Sequence, residues 1–246
     1  MRRARAVSCA GWIVAALALA ALALFAFESR DSYVGAKVAA ALPPPAARVP
    51  ADWSDASARL LIVGDSRVAR WRPLPAPAGF AVAMSGVGGE TSRALAARFP
   101  ALLAETKPDR VAIQTGVNDL VAASLAPEAA AAILGGLRRN LAQSVQDARA
   151  AGVEPILFTI VRPAAPGLAR RVFAWSDDIH DHVRAANRDI RALAAAEDVA
   201  VIDADALFPG EGALPPAFAV DALHFAPAAY AAFNRALAEL LPVLPR

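Results

Sequence analysis

The chain has one cysteine, Cys9, and it precedes the first apolar run. The remaining sequence therefore has no disulfide and no thiolate metal site. A bacterial lipoprotein cysteine follows its apolar stretch, which excludes that form of lipidation at Cys9; the residue reads as an apolar thiol in a membrane helix. Charge of either sign is also in short supply. The net charge is +2, and three of the 25 basic residues, Arg2, Arg3 and Arg5, lie ahead of the apolar run. Without them the 23 acidic residues outnumber the basic ones by one. No basic stripe interleaved with aromatics is present, which excludes a nucleic-acid partner. No internal repeat is found. Hydrophobic residues make up 57% of the chain, but much of the excess is alanine, which has little surface to bury. The length of 246 residues suits one domain with a tail.

Ala10 to Phe27 is an uncharged run of 18 residues. At about 1.5 Å per residue it reaches roughly 27 Å, close to the thickness of a hydrocarbon core. Arginines precede it, so the positive-inside rule keeps the N-terminus cytoplasmic and sends the rest across. The expectation is a basic tail over 1–9, a transmembrane signal anchor over 10–27, a linker over 28–56 and a catalytic domain over 57–246. The linker is rich in proline (Pro43, Pro44, Pro45, Pro50) and reads as a semi-rigid spacer. The expected location is the cytoplasmic (inner) membrane, single-pass, with the domain extracytoplasmic or periplasmic. The alternative is secretion after signal cleavage near Val34-Gly35-Ala36 or Ala39-Ala40-Ala41.

From Arg59 onward short apolar runs alternate with helical patterns. The runs are Leu60–Val63, Phe80–Met84, Val111–Gln114, Pro155–Val161 and Val199–Ile202. Runs apolar on both faces suit central parallel strands covered by helices. The helical segments are Ser66–Trp71, Thr91–Glu105, Pro127–Ala150, Trp175–Glu197 and Pro227–Leu241. Pro127 and Pro227 are placed to open their helices, and Gly152 to end one. The alternation implies an α/β protein, a three-layer α/β/α domain. Right-handed crossovers bring every strand's C-terminal end to one edge, where such sheets bind ligands.

Four short blocks fall at that edge: Gly64-Asp65-Ser66, Gly86-Val87-Gly88-Gly89-Glu90-Thr91, Gly116-Val117-Asn118-Asp119 and Asp221-Ala222-Leu223-His224. Together they contain a nucleophile, a base, a carboxylate and hydrogen-bond donors, the parts that acyl transfer from an ester needs. Their order and residue types resemble the SGNH (GDSL-type) hydrolase family, over roughly Arg59 to Leu241. The resemblance implies a five-stranded parallel sheet of order 2-1-3-4-5, as in flavodoxin-like folds. It makes Ser66 the nucleophile, and Gly89 and Asn118 partners of the Ser66 N–H in an oxyanion hole. His224 is the expected base, and Asp221, three positions earlier, is spaced to bond one imidazole nitrogen while the other faces Ser66. Asp65 is assigned a structural role. In the second block Gly86, Gly88 and Gly89 all compete, and Gly89 is chosen because it precedes Glu90-Thr91 at a helix start. Two departures stand out. Many family members have an asparagine before these glycines, where this chain has Met84-Ser85, and a glycine where it has Ala229.

Asp178 and His182 are four apart and could share a helix face toward a metal, but no third ligand is evident. Ser176 capping a helix, with Asp177 and Asp178 at its positive end, accounts for the segment without one. The pairs Arg138-Arg139 and Arg170-Arg171 read as solvated charge. Only Arg162–Trp175 and Leu207–Val220 approach the length of a lid, about 12 residues or more. The expected function is a membrane-anchored serine esterase hydrolysing carboxylic esters of a lipid, glycan or small metabolite, with no cofactor and no metal. The alternatives are a cell-envelope polysaccharide O-acyltransferase using the same residues, and a non-catalytic glycan-binding or scaffolding domain.

Overall fold

The structure is a computed structural model that describes Trp12, Trp53, Ala56 and residues 58–243. The basic tail, most of the apolar run and most of the proline-rich segment lie outside the described residues. Among those described, no helix is long and apolar enough to cross a membrane.

Five strands form one sheet: β1 (Arg59–Gly64), β2 (Ala81–Gly86), β3 (Arg110–Gln114), β4 (Glu154–Phe158) and β5 (Ala200–Ile202). All pairings are parallel and the order is β2-β1-β3-β4-β5, as the family resemblance implies. The helices are α1 (Ser66–Ala69), α2 (Ser92–Thr106), α3 (Val117–Leu125), α4 (Ala130–Ala150), α5 (Leu168–Phe173), α6 (Ile179–Ala196) and α7 (Pro227–Leu240).

The alternation of β1 shows why its run is apolar throughout. Leu61 and Val63 join a core with α2, α3, α4 and α6, whereas Leu60 and Ile62 join a second core with α1 and α7. Successive strand side chains point to opposite faces, and here both faces are dry. The second core is built around Trp71, whose ring lies 5.4 Å from Phe233 and 5.6 Å from Tyr230. Its indole N–H donates to Asn234 at 2.8 Å, so the buried donor is satisfied. Trp53, on the linker side of the boundary drawn from composition, is 8% exposed and donates to the Thr106 carbonyl at 2.8 Å.

The elements differ from the sequence reading in identifiable ways. α3 was not anticipated: all nine of its residues are buried, so it has no polar face and no stripe to detect. Pro127 does not open a helix; it sits in a turn, and α4 starts at Ala130. Pro227 does open α7. β4 ends at Phe158, although apolar residues continue to Val161. The buried Asn187 of α6 ends it, accepting from the Ile160 N–H at 2.7 Å and donating to the Ile160 carbonyl at 2.9 Å. α6 starts at Ile179, and Ser176–Asp178 form the turn leading into it.

Candidate active site

The sheet register aligns the blocks. Gly64 at the end of β1 is paired with Gly86 on one side and Gln114 on the other. Beyond that level the Val87 N–H donates to the Gly64 carbonyl at 2.9 Å. Ser66, Gly89 and Asn118 therefore leave the sheet at one height along its C-terminal edge.

Two glycines set how closely the segment that carries Ser66 packs. A Cβ on Gly64 would lie 1.8 Å from the Gln114 carbonyl oxygen, and one on Gly86 would lie 2.1 Å from the Ala69 backbone nitrogen. Neither position accepts a side chain, so α1 rests directly on β2. Asp65 caps α1 by accepting from the Arg67 N–H at 2.8 Å. Burial pushes the Asp65 carboxyl up to about 6, against the pull of the nearby Arg67 cation. Within the second block, Gly86 serves this packing, Gly88 has open space around it, and Gly89 has φ +76°.

His224 Nε2 lies 3.1 Å from Ser66 Oγ, and His224 Nδ1 lies 2.7 Å from Asp221 Oδ2. A carboxylate can only accept, so Nδ1 carries the hydrogen and Nε2 is left to accept from the serine hydroxyl. The second Asp221 oxygen accepts from the Leu223 and His224 N–H groups at 2.8 and 2.9 Å. Partial burial works against the Asp221 carboxylate, but the hydrogen bonds from the His224 ring and these two N–H groups outweigh it and hold its pKa below the usual value.

Asn118 is the second residue of α3, presented by Gly116 at φ +112°. Its amide donates to the Glu90 carbonyl at 2.9 Å, joining the second block to the third. A second link runs beside it: the Asp119 carboxylate accepts from the Ser92 N–H at 2.8 Å and from the Ser92 hydroxyl at 2.6 Å. Glu90 is fixed by a buried two-pronged pair with Arg98, at 2.6 and 2.8 Å. Arg98 also donates to Ser85 Oγ at 2.7 Å and the Ser85 carbonyl at 3.2 Å. Ser85 stands in the stretch where many family members have asparagine, and here it anchors the block from below.

Sequence reasoning missed Arg67. It follows Ser66, is 1% exposed, and donates through Nε to the Leu223 carbonyl at 2.8 Å and through Nη1 to the Val161 carbonyl at 3.0 Å. Its guanidinium lies 4.4 Å over the Phe225 ring, and its own carbonyl accepts from Tyr230 at 2.7 Å. The residue beside Ser66 thus holds the loop that carries His224. Arg162 supports the same region, donating to the carbonyls of Phe208, Pro209 and Gly210 at 3.1, 2.7 and 2.7 Å. A charged residue inside an otherwise apolar stretch hinted at Arg162, whereas Arg67, between Asp65-Ser66 and Arg70, had no such signal.

Asp178 accepts from the Ser176 hydroxyl at 3.0 Å, and among the described residues no group of three potential ligands is placed to hold a metal. Arg170 lies 5.8 Å over Trp175, and Arg171 is 3.9 Å from Asp177.

The chain resembles known proteins over this same region. It is 32% identical to the esterase TesA of Pseudomonas aeruginosa across 165 residues, 67% of this chain and 70% of that protein. A crystal structure of TesA superposes with a TM-score of 0.55 at 28% identity, covering 76% of this chain and 99% of that one. Two more distant structures share the fold. A GDSL-like lipase from Bacteroides thetaiotaomicron gives a TM-score of 0.61 at 22% identity, covering 85% of this chain and 95% of that one. A catalytic mutant of an acetylxylan esterase from Geobacillus stearothermophilus gives 0.59 at 21%, covering 75% and 94%. Residues 51–232 match the sequence model of the GDSL-like lipase/acylhydrolase family. With that match, the TesA likeness and the order of the four blocks, the chain belongs to the GDSL-like lipase/acylhydrolase family and is a serine carboxylic-ester hydrolase.

Proposed function

We propose that the chain is anchored in the cytoplasmic membrane with its catalytic domain outside, and that Ser66, His224 and Asp221 carry out ester hydrolysis. The observation behind this assignment of roles is the unbroken line from Asp221 Oδ2 through His224 to Ser66 Oγ, at 2.7 and 3.1 Å. His224 Nε2 takes the hydroxyl proton as Ser66 Oγ attacks the ester carbonyl. Asp221 keeps the ring in the required tautomer and stabilises the imidazolium. The carbonyl oxygen becomes an oxyanion facing the Ser66 and Gly89 N–H groups and the Asn118 amide. His224 then returns the proton to the leaving alcohol, and an acyl-enzyme remains. Water, deprotonated by the same His224, attacks the acyl-enzyme and releases the acid and free Ser66. No cofactor enters any step.

The anchor rests on the uncharged run from Ala10 to Phe27 and the arginines before it. Substrates with short acyl chains fit the compact connections between strands and helices. The decisive measurement is kcat/KM for acetyl, butyryl, octanoyl and palmitoyl esters, each with and without a saccharide acceptor, for the wild type and Ser66→Ala. Loss of a nucleophile costs several orders of magnitude in turnover. A folded Ser66→Ala protein keeping more than about a tenth of the wild-type kcat would overturn the assignment. A maximum at octanoyl or longer would refute the short-chain preference. Acyl-sugar forming faster than free acid would make the protein a transferase. Intact mass of membrane-extracted protein checks the anchor, and a mature chain starting near Lys37 or Leu42 would refute it.

A further inference from the structure

A cavity of about 460 Å³ opens between α2, α3 and the N-terminal half of α4. Thr91 and Asp119 both line it. Thr91 follows Glu90, whose carbonyl holds the Asn118 amide, and Asp119 follows Asn118 itself. Sites for small molecules span about 300–1,000 Å³ and combine an apolar wall with a few polar groups. This one has such a wall in Ala122, Ala129, Ala132 and Ile133.

Its charge is uneven. Asp119 is the one carboxylate among the lining residues, and both its oxygens accept from Ser92. Asn140 closes the same network by donating to Ser92 Oγ at 3.0 Å. Arg93 and Arg139 also line the cavity, and among the described residues neither is in an ion pair with a carboxylate. Arg139 lies back along its own helix. A Cβ on Gly135 would sit 3.3 Å from Arg139 Nη1, and one on Gly136 would sit 4.0 Å from Arg139 Nη2. Two successive glycines inside a helix weaken it relative to alanine. Here Gly135 leaves room for the guanidinium, and Gly136 forms part of the cavity wall.

We propose that this cavity is a substrate subsite for an anionic group, a carboxylate or phosphate carried on the acyl or alcohol part of the ester. An apolar wall with two guanidiniums at hand suits a short carbon chain ending in negative charge. Arg138 and Arg139 are both exposed, in keeping with solvated charge, and the fold also brings Arg139 to one cavity with Arg93, which is 46 positions away. The proposal rests on the esterase reading.

Three matched pairs test it. The acyl side is read by 4-methylumbelliferyl hydrogen glutarate against the butyrate, and the alcohol side by 3-acetoxybenzoate against its methyl ester. The phosphate arm is 1-butyrylglycerol 3-phosphate against 1-butyrylglycerol. For each pair the ratio of kcat/KM, charged over neutral, is measured in wild type, the Arg93→Gln/Arg139→Gln double variant and Gly136→Leu, which fills the cavity. Dissociation constants for the same pairs are measured on Ser66→Ala. In at least one pair the ratio should fall about fivefold or more in the double variant and in Gly136→Leu, and it should also fall with added salt in the wild type. Ratios that stay within twofold of wild type in both variants, or equal affinities of Ser66→Ala for every charged and neutral partner, would overturn the subsite. Absence of turnover of every ester by the wild type would instead overturn the esterase reading, while the affinities still decide the subsite.

Discussion

Replacing Arg67 with methionine should slow catalysis without removing any reacting group. Methionine keeps much of the apolar stem but ends both hydrogen bonds, to Leu223 at 2.8 Å and Val161 at 3.0 Å. A buried carbonyl left without a donor costs about 1–3 kcal/mol. Loss of the guanidinium from the Phe225 face, 4.4 Å away, adds about 1–2 kcal/mol. Against these stands relief from burying a cation, since burial already disfavours the charged form of Arg67. The net destabilisation should be about 3 kcal/mol, a fall in Tm of about 6–12 °C for a domain of this size. Leu223 adjoins His224, so its carbonyl is the point where His224, the proposed base, loses its tether. A displacement of about 1 Å in a catalytic group can cost about a hundredfold in rate. The assay is steady-state hydrolysis of an activated acetyl ester well below the lowered Tm, with circular dichroism confirming the fold. The expected result is a fall in kcat of about ten- to a hundredfold with KM little changed, and partial recovery in Arg67→Lys. A folded Arg67→Met protein with kcat within twofold of wild type would refute the claim that this arginine positions the base. A rise in KM alone would refute it equally.

Asp65 gives a prediction in pH. Its folded pKa, about 6, lies above the ordinary 3.8, so the folded protein holds the proton more tightly than the unfolded chain. The stability this contributes is fully present below about pH 4 and is lost as pH rises through about 6. Asp65→Asn should remove that slope, and the two proteins' unfolding free energies should change relative to each other by about 3 kcal/mol across the window; parallel pH profiles from urea melts would refute it. Gly86→Ala should destabilise by about 3 kcal/mol or more and reduce turnover, because its Cβ would meet the Ala69 nitrogen at 2.1 Å; an unchanged melting temperature would refute the packing argument. A chelator should leave esterase activity intact, and His182→Ala should lose no stoichiometric metal; one zinc per chain, measured by elemental analysis and lost in that variant, would show the Asp178–His182 segment to be a metal site.

The residue pattern by itself determined the alternation of strands and helices, and the family resemblance added the strand order and the blocks proposed to carry the chemistry. The apolar runs at β1, β3 and β4 are local signals, and their two-sided burial leaves a continuous hydrophobic stretch. The blocks were legible for the same reason: Asp221 and His224 are three apart, and Ser66, Gly89 and Asn118 each follow a strand end. Signals that depend on an amphipathic stripe failed where no stripe exists. α3 is buried on every side and α5 has no buried residue, so neither showed a helical period. Tertiary structure alone decided what holds the site in place. Arg67 reaches Leu223 across 156 positions and Val161 across 94, and Asp119 reaches Ser92 across 27. It also decided that Arg93 and Arg139 share a cavity. Such pairings carry no periodicity and no fixed spacing. They arise because β-strand register brings distant segments to one edge, where a buried charge or hydrogen-bonding group must find its partner among whatever the fold places there.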